Sequence, residues 1–246
     1  MSQTARIYRK AMSNRKTELA ERMIELKAAL DEAAARAGRD PEEVTLVAVS
    51  KLHPASDIRA LAETGQTEFG ENYVQEALGK QEELTDLEVN WHFIGGLQSN
   101  KAKFVAGNFE LVHSVDSRNL AQALHKKAAG LNVVQDILIQ VNISGEAQKS
   151  GISEENLHQL ADEIMGMHGV HLVGLMTMPP FFDDPERARP VFSRLRELKD
   201  GLEKQLGTKL PHLSMGMTGD FVPAVLEGAT LVRIGTRIFG VRPPRG

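Results

Sequence analysis

Two cations stand where cations are costly. Lys51 closes the apolar run Val44–Val49 in VTLVAVSKLHP, and Arg233 interrupts another run in LVRIGTRIFG. A lysine ending a strand that reads as buried has two explanations. Either the strand surfaces and the amine is solvated, or the amine is a nucleophile at the mouth of a site. Arg233 shares a strand face with Leu231 and Gly235, while Val232, Ile234 and Thr236 share the other. A guanidinium on an inward face needs an acceptor. A protein carboxylate supplies it in a buried ion pair, or a ligand does. Gly235-Thr236 follows directly, and Ser214-Met215-Gly216-Met217 ends an earlier run. Glycine lets backbone N–H groups approach oxygens, hydroxyls add donors and a helix start adds its positive end. This is the chemistry of a phosphate cradle. A Gly-Thr pair alone is weak evidence; beside Ser214 and Arg233 it becomes a constellation.

Composition narrows the setting. The chain has 246 residues, 41% of them apolar and 25% charged, with a net charge of −4. That is ordinary for a globular protein with ample core. Lys and Arg are interspersed with Asp and Glu and form no basic block, so general nucleic-acid binding is not expected. There is no cysteine, which removes disulfides, thiolate nucleophiles and Cys-based zinc sites. The eight histidines are scattered without carboxylate spacing, and no metal site is expected. The basic N-terminal stretch lacks the apolar core of a signal peptide. No stretch approaches the roughly 20 apolar residues of a membrane span. A cytoplasmic protein is expected.

The elements that must position these residues alternate along the chain. Residues 14–38 carry Leu19, Met23, Leu26 and Leu30 on one helical face. Strand-like runs follow at 44–51, 68–72, 89–95, 111–116, 135–143, 171–178, 212–217 and 231–239, with helical segments at 54–64, 73–84, 99–106, 117–129, 153–167, 184–206 and 220–228. Pro54, Ser117, Ser153 and Asp220 suit helix starts. Such alternation implies a parallel sheet with right-handed crossovers. A barrel of this kind takes about 250 residues. The fold class expected is α/β: one (β/α)8 barrel domain over 1–246, with residues 1–40 as a helical extension packed on it. An open doubly wound sheet is disfavoured, because no G-x-G-x-x-G follows the first strand.

Barrel active sites lie at the C-terminal ends of the strands. Lysine, arginine and phosphate cradle then face one mouth. Pyridoxal 5′-phosphate would use all three: an amine for its aldehyde, a cradle for its phosphate and a cation beside its ring nitrogen. A cationic partner disfavours protonation of that nitrogen and makes the ring a weaker electron sink.

The sequence also resembles the pyridoxal-phosphate homeostasis proteins, whose barrel is similar to the N-terminal domain of alanine racemase. The matching stretches are LVAVSK, FGENYVQE, WHFIGGLQSNK, HSVDS, VNISGEAQKSGI, GLMTM, LSMGMTGDF and LVRIGTRIFG, spread over residues 44–240. The resemblance implies that Lys51 carries the cofactor as an imine and that Arg233 faces the ring nitrogen. It also implies that Ser214, Gly235 and Thr236 bind phosphate, that Met215 and Gly216 lend backbone, and that Asn72 lies near the ring. Gly96 and Thr218-Gly219 are the small departures.

Other residues are weaker candidates. Met176, Met178, Met215 and Met217 read mainly as core filling, with Met176 a secondary candidate against the ring. His92 reads as a core histidine with a secondary role as a site donor; His53 and His113 have no partner pattern. Lys80, Lys101 and Lys103 read as solvated. Lys149, in the loop GEAQKSG, is a candidate second amine during cofactor transfer. No residue is assigned as catalytic. An amino-acid racemase is the alternative function, but it needs a second base, and neither Tyr8, placed before the first helix, nor Tyr73 is an evident one. The racemases take theirs from a further domain that is not expected after Gly246. A carrier that stores pyridoxal phosphate and hands it to apo-enzymes is favoured, as a monomer with weak dimerisation.

Overall fold

The computed structural model describes residues 3–146 and 149–241, with side chains from residue 14 onward. Eight parallel strands close into a barrel in sequence order. They are β1 (Thr45–Val49), β2 (Glu68–Glu71), β3 (Asn90–Phe93), β4 (Leu111–Val115), β5 (Gln135–Gln140), β6 (Val170–Met176), β7 (His212–Ser214) and β8 (Leu231–Ile234). The seam joins β1 to β8, with Val47 opposite Arg233 and Ala48 opposite Ile234.

The helices are α1 (Gln3–Arg36), α2 (Ala55–Ala62), α3 (Val74–Glu83), α4 (Arg118–Gly130), α5 (Glu154–Met165), α6 (Arg189–Leu206), α7 (Phe221–Leu226) and α8 (Thr236–Phe239). The β3–β4 crossover is a 3-10 stretch, Ser99–Phe104. Ser117 caps α4 through the Leu120 N–H. At α7, Asp220 makes no side-chain cap bond; its carboxylate accepts from Met217 N instead, at 2.6 Å.

Period-two alternation divides each strand between two cores. Val47, Leu111, Leu138, Val173, Met176 and Leu231 fill the barrel interior. Leu46, Ala48, Phe69, Trp91, Phe93, Val112, Val232 and Ile234 face outward into the helix layer. In α1, Leu19, Met23, Leu26 and Leu30 are buried, and the helix packs across α2, α7 and α8. Arg15 pins it, donating to Asp57 Oδ2 at 2.7 Å and to the Phe239 carbonyl at 2.8 Å.

Of the boundaries that differ from the sequence reading, two bear on the candidate residues. The first helix starts at Gln3, so Tyr8 lies inside α1; its side chain is outside the described residues. The last strand stops at Ile234, and residues 236–239 form α8 because Gly235 leaves the extended conformation, with φ −116° and ψ −72°. The N–H groups of Ile238 and Phe239 then both donate to the Gly235 carbonyl.

Candidate functional site

Lys51 follows β1 in a four-residue turn, Ser50–His53, closed by His53 N donating to Ser50 O at 3.0 Å. Leu52 takes the third position with φ +65°, a conformation glycine usually supplies in such turns. A non-glycine residue held there costs on the order of 1–3 kcal/mol, so the surroundings must impose it. They do so from β2 and α3. The Leu52 N–H donates to Glu76 Oε1 at 2.5 Å. Lys80 Nζ donates to the Ser50 carbonyl at 2.8 Å, and to Glu71 Oε1 and Glu76 Oε1 at 2.6 Å each. Ser50 Oγ donates to the same Glu71 oxygen at 2.7 Å. Lys80 is therefore buried, not solvated as its sequence context suggested. It is the hub that fixes the turn carrying Lys51. Burial pushes the Glu71 carboxyl above its usual range, partly offset by Lys80 and Ser50. His53, also buried, stacks on Phe239 at 4.8 Å and ties this turn to α8.

Arg233 is buried inside the barrel. It donates to Ser214 Oγ at 2.5 Å and to the Thr177 carbonyl at 3.0 Å. No carboxylate bonds it among the described residues, so the ion-pair explanation is not the one realised. Burial pushes its pKa down to about 10, with Asp220 acting in the opposite sense, and it stays cationic at neutral pH.

The structure brings the cradle to the same rim. Gly235 packs against the end of β1, where a Cβ would lie 3.2 Å from the Val49 carbonyl. The Thr236 and Arg237 N–H groups, at the start of α8, have no intrahelical acceptor. Gly216 needs its freedom twice: φ is +90°, and a Cβ would meet the Ala224 Cβ at 2.6 Å. Met215 is buried in the helix layer and offers only backbone to the rim. Ser214 is placed differently. It is fully buried, and its hydroxyl lies between Arg233 and His113, 2.7 Å from Nδ1. Its hydroxyl is engaged by the guanidinium and by His113.

Asn72 leaves β2 at the mouth with its Oδ1 buried and lacking a hydrogen-bond partner among the described residues. Gly95 makes this placement feasible, since any Cβ there would overlap the Asn72 carbonyl. Lys149 pairs with Glu146 at 2.9 Å; its loop neighbours Ala147 and Gln148 lie outside the described residues. Met176 is fully buried in the inner core. His92 lies inside the barrel, 2.9 Å from His113 and 2.7 Å from Glu68.

Sequence reasoning missed Glu71, Glu76 and Lys80 behind Lys51, and His113 with Glu68 behind Arg233. Strand parity was the available signal for the second group. Glu68, His92, His113, Ser214 and Arg233 all occupy inward positions, where Val and Leu would otherwise fill a barrel.

Residues 24–243 match the family described as alanine racemase, N-terminal domain. The pyridoxal phosphate homeostasis protein of Aquifex aeolicus is 46% identical over 222 residues, covering 90% of this chain and 97% of its own length. That of Pseudomonas aeruginosa is 48% identical, covering 91% and 96%. The chain belongs to the pyridoxal phosphate homeostasis protein family. Among solved structures, PipY of Synechococcus elongatus with PLP bound is 38% identical, with a TM-score of 0.81 over 90% of this chain and 100% of that one. The alanine racemase of Corynebacterium glutamicum is 16% identical, with a TM-score of 0.70 over 92% of this chain and 62% of that one. At that identity the likeness is one of fold. Homeostasis proteins and racemases thus share the barrel that the sequence pattern predicted.

Proposed function

We propose that this chain holds pyridoxal 5′-phosphate at the barrel mouth and buffers or delivers it inside the cell, without a catalytic residue of its own. When bound, the cofactor supplies an aldehyde that condenses reversibly with a primary amine. Lys51 is the amine, presented by a turn whose backbone is fixed at three points. Arg233 offers its remaining N–H groups to the ring nitrogen and, as a cation, keeps that nitrogen unprotonated. Gly235, Thr236 and Gly216, with the Met215 backbone, receive the phosphate. Asn72 supplies a buried carbonyl oxygen still lacking a donor. The single observation carrying the reading is a lysine in the turn that follows β1 and a buried arginine on β8, the strand that pairs with β1 across the seam, with no carboxylate bonded to the arginine among the described residues.

The relatives' names and the PLP-bound PipY structure support the ligand. Lys149, released from Glu146, is a second amine during transfer to apo-enzymes. The protein acts as one domain, in the cytoplasm, as a monomer with weak dimerisation.

The test is spectroscopic. Purified protein mixed with pyridoxal phosphate shows a visible absorption band, and Lys51→Ala abolishes it. A band surviving that substitution, or none in the natural protein, sinks the reading. Incubation of the loaded protein with L- and D-alanine, followed by polarimetry, leaves optical rotation unchanged; sustained turnover would establish the racemase instead.

A further inference from the structure

A continuous hydrogen-bonded chain crosses the barrel interior from foot to mouth. It starts at Glu68, the first residue of β2, whose side chain is 20% exposed. It passes through His92 on β3, His113 on β4 and Ser214 on β7, and it ends at Arg233 on β8.

The two ends determine the direction of every bond between them. Arginine only donates, so Ser214 Oγ accepts from it. The hydroxyl proton of Ser214 then needs an acceptor, and His113 Nδ1 stands 2.7 Å away. A protonated Nδ1 would leave that hydroxyl proton unmatched. Neutral His113 therefore carries its proton on Nε2, which donates to His92 Nδ1 at 2.9 Å. His92 in turn carries its proton on Nε2 and donates to Glu68 Oε2 at 2.7 Å. A carboxylate only accepts, so the far end agrees with the near one. Asn90 Nδ2 and Thr67 Oγ1 complete the bonds to Glu68, at 2.7 and 3.1 Å.

We infer that Ser214, His113 and His92 are positioning residues for Arg233: a one-directional chain of neutral groups, anchored on Glu68, that fixes the plane of the guanidinium presented to the ligand. This rests on the pyridoxal phosphate reading for what Arg233 meets. The chain places one negative charge at the foot and one positive charge at the mouth, with no charge between them. Burial above all, with the Arg233 cation nearby, holds His113 well below the usual histidine range, as the neutral form requires.

The chain is tested first without cofactor. Nitrogen-15 NMR of the apoprotein shows His92 and His113 both as Nε2–H tautomers, with no titration of His113 near 6.5, the ordinary histidine value. An Nδ1–H tautomer, or ordinary titration of His113, overturns the chain. The positioning role is tested in the loaded protein. Ser214→Ala and His113→Phe each shift the visible band or its pH profile and weaken pyridoxal phosphate binding about tenfold, or 1.4 kcal/mol. Ser214→Thr, which keeps the hydroxyl, restores the natural values. If both variants keep the natural band, pH profile and affinity, the positioning role is wrong while the cofactor reading stands. If the natural protein itself shows no band, the cofactor reading and the role of Arg233 toward it fall together, and the histidine tautomers still decide the chain.

Discussion

The two cations of the site are held from behind in opposite ways. Behind Lys51 the support is compact and charged: Lys80 reaches Glu71, Glu76 and the Ser50 carbonyl within 2.8 Å. Behind Arg233 it is extended and neutral, with two histidines and a serine between the guanidinium and Glu68. The first lies on the outward face of the sheet, under α3; the second fills the inward face. The difference follows from what each must hold. A turn with a left-handed residue needs several strong bonds to one short stretch of backbone. A guanidinium needs its plane fixed while its charge stays undiminished, and a carboxylate bonded to it directly would compete with any ligand for its donors.

Breaking the charged cluster should cost the most. Lys80→Met strands the Glu71 carboxylate, whose side chain is 0% exposed. The loss of a partner in a buried pair is about 3–5 kcal/mol, read as a lower midpoint in urea unfolding. A loss below about 1 kcal/mol would mean that the cluster is not tightly coupled. Breaking the neutral chain should cost less. Ser214→Ala leaves His113 Nδ1 and one arginine N–H unmatched, at about 1–3 kcal/mol by the same measurement.

A pH series separates the two anchors further. Burial raises Glu71, so its contribution is fully present below the unfolded glutamate value of about 4.3 and is lost as pH rises through its folded value. Burial also acts on Glu68, but the bonds from His92, Asn90 and Thr67 outweigh it and lower the carboxyl. Its contribution is present above about 4.3 and is lost as pH falls through its folded value. Stability relative to Glu68→Gln should therefore rise with pH between 3 and 6, and relative to Glu71→Gln it should fall. Parallel slopes would contradict the contrast.

The smallest effect is at Leu52. Leu52→Gly relieves the positive φ and should stabilise by about 0.5–1 kcal/mol in thermal unfolding. It should also loosen the turn and slow capture of pyridoxal phosphate.

The barrel was legible because its signal is repetitive. Eight apolar runs with helices between them admit few other topologies, and strand parity placed Arg233 inside. The place of Lys51, though not its role, was legible because a polar strand end in a barrel is a mouth position. Lys80 was not. On a helix surface its sequence context is that of any solvated lysine, and only the fold shows Glu71 beneath it. The place of Ser214 in a motif pointed to the phosphate; its bond to Arg233 comes from the inward face of a three-residue strand and was not legible. His113 needed a partner from a strand about a hundred residues away, and local spacing does not carry that information.

The stack of His53 on Phe239 spans the seam where the barrel closes. Lys51 and Arg233 are separated by about three quarters of the chain, so the pairing of β1 with β8 has the longest sequence separation in the sheet. Contacts of that kind are entropically the most expensive to form. On the function proposed above, a growing or partly folded chain exposes an ordinary lysine and gains a selective amine only once the circle is complete. On that proposal, capture of a reactive aldehyde is a report that folding has finished.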